Sequence, residues 1–216
     1  MRRTIRVLLI GATLALSVAL SAPAMAASGL KLHPSGFGEK SGASWQAGEG
    51  RADSKGNARH ALFLRKLTAT ATFAAGVAVV NNAEGLDVAG LTLAWDRRAD
   101  GHCGAGAPRW NVIVQGQSGA SYTVFLGCAG ATHTPDGVPP VWFRDTFVFG
   151  SPDTVSYMTT ALGFTPGQVA DIEGGTVQSL AIVFDEGTDV GPGFVYLDNI
   201  QVGDKIWTGP MDNGNS

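Results

Sequence analysis

The sequence predicts an antiparallel β-sandwich or barrel, and three observations carry that expectation. Apolar and polar residues alternate with period two in several short runs. Glycine, proline, asparagine and aspartate punctuate those runs at turn spacing. Two cysteines, Cys103 and Cys128, bracket a pair of the runs. Strands with one buried face read this way, and a series of them separated by turns encloses a two-sheet core.

The first segment stands outside that fold. Arg2, Arg3 and Arg6 precede an apolar run from Val7 to Leu20, and Ala24-Met25-Ala26 supplies a small-x-small cleavage pattern. Residues 1–26 thus read as a secretory signal peptide, too short and wrongly flanked for a membrane span. The expected location is extracellular or periplasmic, and no later segment is apolar enough to span a bilayer. Removing three of the 15 Lys+Arg leaves 12 against 18 Asp+Glu, a net charge of −6. An acidic chain without a basic cluster is a poor partner for nucleic acid or anionic membranes. The remaining length suits one domain, expected over residues 27–208.

The strands follow in order. HALFLRK (60–66) and LTLAW (91–95) come first, the latter alternating Leu91, Leu93 and Trp95 against Thr92 and Ala94. RWNVIVQ (109–115) sets Trp110, Val112 and Val114 against Arg109, Asn111 and Gln115, with Ile113 the exception. SYTVFLGC (121–128) puts Tyr122, Val124, Leu126 and Cys128 on one face, and GQSGA (116–120) reads as the hairpin turn between the two. Trp95 and Trp110 both alternate with core positions and are assigned to the core. VWFRDTFVF (141–149), VQSLAIVF (177–184) and FVYLDNIQV (194–202) complete the set.

The hairpin brings Cys128 near the loop that holds Cys103. In an exported chain this predicts a disulfide, the alternatives being free thiols or a metal pair. Two short helices interrupt the β pattern: SPDTVSYMTTALG (151–163), ended by Gly163, and TPGQVADI (165–172). In the second, Thr165 stands as N-cap, Pro166 at the first helical position and Gln168 three residues after the cap. The tail GPMDNGNS (209–216) has nothing apolar to bury and is expected to be flexible.

Asp198 and Asn199 sit side by side within the strand FVYLDNIQV. An unpaired carboxylate facing a core costs several kcal/mol, so Asp198 needs a partner. A bulge at this pair lets Val195 and Leu197 join Ile200 and Val202 on the buried face. The partner is then either a set of hydrogen-bond donors or a hard cation such as calcium.

VQSLAIVFDEGTDVGPGFVYLDNIQV (177–202) resembles the last two strands of the galactose-binding-like jelly rolls. That group includes many carbohydrate-binding modules of secreted bacterial glycosidases, which often end in a Tyr-x-Asp-Asn-Ile/Val strand. The resemblance implies a jelly-roll sandwich. In several such families the Asp of that strand helps to hold a structural calcium, which implies a metal role for Asp198.

Other chemistry is thinly marked. DEGTDVG (185–191) offers Asp185 and Asp189 at positions one and five of a calcium loop, but Tyr196 stands where an EF-hand needs glutamate. A solvated turn is the better reading. DRRADGHCGAGAPR (96–109) gathers Arg97, Arg98, His102 and Arg109 in what reads as a Gly-rich loop beside Cys103, a common setting for a binding site. Trp142 follows Pro139-Pro140, and the bulky run Val141-Trp142-Phe143 forces a side chain outward. Trp142 is therefore the expected aromatic platform. GQSGA lacks the second glycine and the strand-to-helix context of a nucleophile elbow, and no spacing pairs two carboxylates for glycoside hydrolysis. The leading expectation is a secreted, non-catalytic sandwich that binds a glycan or cell-surface polymer. An extracellular polysaccharide-active hydrolase or lyase, and a structural or adhesive surface protein without a small ligand, are the alternatives.

Overall fold

The computed structural model describes residues 29–52 and 59–213, so the signal peptide expected over 1–26 lies outside the described residues. The alternating runs form strands and pair antiparallel throughout. In chain order these are β1 (Lys31–Phe37), β2 (Ser41–Gln46), β3 (Ala61–Lys66), β4 (Ala75–Asn81), β5 (Thr92–Arg98) and β6 (Arg109–Gln115). There follow β7 (Ser121–Gly127), β8 (Thr132–Asp136), β9 (Trp142–Val148), β10 (Thr176–Phe184), β11 (Phe194–Val202) and β12 (Lys205–Trp207). A five-stranded sheet has the order β1-β4-β10-β6-β7, and a seven-stranded sheet runs β2-β3-β11-β5-β9-β8 with β12 on β11. The expected antiparallel sandwich of the jelly-roll kind is what the chain forms.

The core lies between the sheets. Trp95 of β5 and Trp110 of β6 are both fully buried and stack across the interface with ring centroids 5.3 Å apart. Both core assignments hold. Where β1 and β4 meet β2, glycine is required by close approach: a Cβ on Gly36 would stand 2.5 Å from the Gly42 Cα, and one on Gly76 2.5 Å from the Gly42 carbonyl oxygen.

The Asp-Asn pair is a bulge. Leu197 faces Arg97 and Asp198 faces Asp96, but the register resumes with Gln201 opposite Ala94. Two residues of β11, Asn199 and Ile200, therefore oppose the single Trp95. Asn199 takes φ +44°, a left-handed geometry that asparagine tolerates better than most residues. The shift of phase puts Val195, Leu197, Ile200 and Val202 all in the core with no exposure, as expected.

The β6–β7 hairpin closes as expected, with Gln115 opposite Ser121. Cys103 and Cys128 are joined, with Cα atoms 5.3 Å apart, because the hairpin end is tied to the intervening loop. Cys128 N–H donates to the Pro108 carbonyl and Ala129 N–H to that of Gly104. A closed loop of this length contributes about 3 kcal/mol by chain entropy.

The two helices are α1 (Pro152–Thr160), capped by Ser151, and α2 (Pro166–Glu173), with the full Thr165/Gln168 capping box. Near the end of α2, Asp171 clamps the hairpin turn. Its carboxylate accepts from Ser118 N–H at 2.6 Å, the Ser118 hydroxyl at 2.6 Å and the Tyr122 phenol at 2.8 Å. The Ser118 donors, followed by Tyr122, hold the Asp171 carboxyl below the usual carboxylate range, and the same contact raises the Tyr122 phenol. A lowered folded pKa means that the clamp stabilises above about pH 4 and is lost as pH falls through the folded value. Denaturant unfolding should show Asp171→Asn less stable than wild type at neutral pH, with the gap closing in acid. A gap that stays constant down to acid unfolding would contradict the clamp.

Two expectations need correction. The loop assigned to residues 96–109 is shorter, because β5 continues through Arg98 and β6 begins at Arg109. The strand tolerates these charges because each has a partner: Asp96 meets Arg144 and Arg51, and Arg97 meets Asp145. The tail is also held as far as Asn213. The Asn213 side-chain oxygen accepts from Leu32 N–H at 2.7 Å and the Trp207 indole at 3.0 Å, while its amide donates to the Leu32 carbonyl at 2.8 Å. Polar docking on an edge strand replaces the apolar anchor that the tail lacks. No helix among the described residues is long and apolar enough to cross a membrane.

Candidate functional site

Strand register fixes the outward residues of the five-stranded sheet, whose small central side chains between larger edge residues outline a shallow groove. One row crosses all five strands as Ser35, Val77, Val183, Arg109 and Gly127. The next runs His33, Val79, Ala181, Asn111 and Phe125. The central strands β4 and β10 contribute only valine and alanine to these rows, so the floor is low. Aromatic rings stand at both edges. Phe125 is 44% exposed on β7; Phe37, also 44% exposed, ends β1 beside Phe73, with ring centroids 4.8 Å apart.

Polar groups sit between the edges. The Arg109 guanidinium grips both oxygens of Asp185, at 2.6 and 2.7 Å, and donates to Asn111 Oδ1 at 2.8 Å. Its Cζ lies 5.2 Å from the centre of the Phe125 ring. Together Arg109, Asp185 and Asn111 form a fixed, charge-neutral plane of donors and acceptors. A cleft of about 200 Å³ continues it past Phe37, Phe73, Thr70 and Thr72. The loop carrying Phe73 is anchored from below by Lys66, almost wholly buried, whose ammonium donates to the Thr70 and Asp185 carbonyls at 2.7 and 2.8 Å. Asp189 accepts from Thr70 N–H at 2.5 Å and from its hydroxyl, and these donors hold its carboxyl below the usual range. Asp185 and Asp189 thus serve two separate contacts, with Arg109 and with Thr70.

Of the five residues expected to bind ligand, only Arg109 reaches this groove. Alternation along β5 turns Arg97 inward and Arg98 outward on the opposite sheet. There Arg98 lies over the Tyr196 ring, Cζ 3.8 Å from its centre, and meets Glu49 and Asp100. Arg98 holds the Asp100 carboxyl below its ordinary range. His102 is partly buried against the Glu186 carboxylate and packs edge-on to Phe184. Trp142 is 7% exposed, which removes it as a stacking platform. It lies opposite Arg98 on the outward face but is covered there, and the exposed member of its run is Val141, at 60%.

Three further carboxylates are buried and held. Asp145, with no exposure, accepts from Arg97 Nε at 2.8 Å and Trp95 Nε1 at 3.0 Å, and pairs with His133 Nδ1 at 2.6 Å. Cys128 Sγ stands 3.3 Å from it but carries no proton, being in the disulfide. Cys103, Cys128 and Asp145 lie close enough together to ligate a metal only if both thiols were free, and they are joined. Asp198 accepts from Arg51 N–H at 2.7 Å and Asn199 N–H at 2.6 Å, in space left by Gly50, where a Cβ would stand 2.8 Å from Oδ2. Neighbouring Asp96 meets the Arg51 and Arg144 guanidinium groups and the Asn199 amide. Calcium needs six or more oxygen ligands. Backbone N–H donors meet the Asp198 carboxylate and arginine supplies the local positive charge, so the described residues fit a hydrogen-bonded carboxylate better than a cation.

The sequence carries one signal for the groove. Phe125 is the one aromatic on the otherwise polar face of SYTVFLGC, and Arg109 and Asn111 share the matching face of RWNVIVQ. Phe37 and Phe73 carry none, because neither lies in an alternating run.

No family model and no curated protein matches the sequence. Among solved structures, the chain is similar to the family 11 carbohydrate-binding module of a cellulosomal cellulase from Clostridium thermocellum. Identity is 12%, coverage 81% of this chain and 87% of that one, and the TM-score 0.40. The same kind of module, from the same organism and in complex with a β-1,3-1,4-mixed-linked tetrasaccharide, shows 11% identity, 83% and 91% coverage and a TM-score of 0.38. A β-1,2-glucanase from Parabacteroides distasonis shows 16% identity and a TM-score of 0.38, with 81% of this chain matching 23% of that enzyme.

Proposed function

We propose that the outer face of the five-stranded sheet binds a glycan chain without cleaving it, in a protein exported from the cytoplasm. The observation that carries this reading is the low floor of Val77, Val79, Ala181 and Val183 between aromatic edges. Neighbouring strands lie about 4.8 Å apart, so five strands span roughly 19 Å, room for a run of several sugar rings. Aromatic faces pack against the C–H faces of sugars, while Arg109, Asp185 and Asn111 meet hydroxyl groups; a site of few fixed polar groups on an apolar base suits such a ligand. The use of Asp185 supports binding without cleavage at this face. Glycoside hydrolysis takes an acid and an opposed carboxylate, whereas both Asp185 oxygens are committed to Arg109. The leader sequence supports export.

Affinity electrophoresis through gels containing soluble polysaccharides (mixed-linkage β-glucan, xylan, mannan and pectin) tests the reading. Wild type should be retarded by at least one of them. Phe125→Ala and Arg109→Ala should each weaken that retardation about tenfold, near 1.4 kcal/mol, with the fold intact by circular dichroism. Retardation by none, or variants retarded as strongly as wild type, contradicts it.

A further inference from the structure

Phe73 is 87% exposed, yet the loop that carries it is tied down on both sides. A single exposed phenylalanine needs no explanation. The restraint on its loop does. Every polar atom of Thr70, just before it in the chain, is engaged. The Thr70 N–H donates to Asp189 Oδ1 at 2.5 Å, and the Thr70 hydroxyl donates to the same oxygen. The hydroxyl also accepts from Gly187 N–H at 3.2 Å, and the Thr70 carbonyl accepts from the Lys66 ammonium at 2.7 Å. Nearby, the Thr68 carbonyl accepts from Thr188 N–H, and Thr72 N–H donates to the Ala69 carbonyl. On the far side of Phe73, Ala74 is buried. Between these fixed points stand Ala71, Thr72 and Phe73, all exposed.

The same clamp reaches the polar groups of the groove. Lys66 also donates to the carbonyl of Asp185, the residue whose carboxylate Arg109 grips. The Phe73 ring stands against Phe37 with planes 40° apart, so it widens the aromatic edge that Phe37 begins. Ordering a mobile loop when a ligand binds subtracts from affinity, and a loop ordered beforehand avoids that loss. We propose that Thr70 is a positioning residue for glycan binding, clamped by Asp189, Gly187 and Lys66 so that the Phe73 ring is already in place at the groove's edge. The inference rests on the reading that this face binds a glycan. Phe73 makes the contact, and Thr70 acts through it.

A double-mutant cycle in the polysaccharide gels tests it, with Phe125→Ala as the control for the groove itself. Phe73→Ala should weaken retardation about fivefold. Thr70→Val and Asp189→Ala each remove part of the clamp outside the core, and each should weaken retardation about threefold. Added to Phe73→Ala, either should change it by less than about twofold, because no ring is left to position. Thr70→Ser, which keeps the hydroxyl, should recover most of what Thr70→Val loses. Without ligand, ¹⁵N relaxation should show the amides of Ala71, Thr72 and Phe73 as ordered as the strands in wild type and mobile in Thr70→Val. Retardation that falls with Phe125→Ala but not with Phe73→Ala leaves the groove standing and overturns this inference. Equal losses from Thr70→Val with and without the Phe73 ring overturn it as well. So does a loop already mobile in ligand-free wild type, or a Thr70→Ser variant as weak as Thr70→Val. Wild type retarded by no polysaccharide overturns the groove reading and this inference together.

Discussion

Replacing Asp145 by alanine should destabilise the fold by about 3–5 kcal/mol, the range for breaking a buried ion pair from one side. Asp145 has no solvent exposure and Arg97 only 7%. The substitution leaves the Arg97 guanidinium charged in the core, with the Trp95 indole and His133 ring also deprived of their acceptor. Rehydrating Arg97 would require opening β5 and β9, which pair along their whole length. Urea unfolding measures the loss directly. Removing both charges, as in Asp145→Leu with Arg97→Met, should restore part of it, because no unpaired ion then remains. A single variant within about 1 kcal/mol of wild type would show that water reaches Arg97 after all.

Asp198→Ala should be the second-largest loss, about 1–3 kcal/mol. Two backbone N–H groups, of Arg51 and Asn199, lose their acceptor at a position 2% exposed. The bulge itself should weaken, because the Asp198 carboxylate bonds the N–H of the left-handed Asn199. A chelator decides between the two kinds of partner. If N–H donors hold the carboxylate, chelation leaves the melting temperature of wild type unchanged. If calcium holds it, chelation lowers the wild-type melting temperature and leaves Asp198→Ala where it was. An Asp198→Ala variant as stable as wild type contradicts both.

What was legible in the sequence follows from where side chains decide the structure. The strands from LTLAW to FVYLDNIQV could be read because one face of each meets the core, so burial imposes the alternation. Even the bulge was visible, since only a change of phase at Asp198-Asn199 puts Val195, Leu197, Ile200 and Val202 on one side. Strands β1 and β8 were not visible, being edge strands that bury almost nothing: all five residues of β8 are exposed, and β1 buries only Leu32. Charge misled where pairing was hidden. Asp96, Arg97 and Arg98 look like loop residues until Arg144, Asp145 and Asp100 are placed beside them, and those contacts depend on register that no local pattern records. Trp142 misled for a related reason: three bulky residues in a row show that a side chain must point out, but not which one. The groove needed topology above all. Arg109 and Phe125 are neighbours across one hairpin, whereas Phe37 and Asp185 reach the same face only through the order β1-β4-β10-β6-β7.

The most direct test of glycan binding at that face is an amide and side-chain shift map of ¹⁵N-labelled protein, titrated with oligosaccharides of whichever polysaccharide retards it. The perturbed signals should fall on the outward residues of β4, β10, β6 and β7, with Val79, Ala181, Asn111, Arg109 and Phe125 foremost, and saturate together with a single affinity. Perturbations confined to the outer face of the seven-stranded sheet, around Phe63, Arg98 and Tyr196, or the absence of any saturable shift, would contradict it.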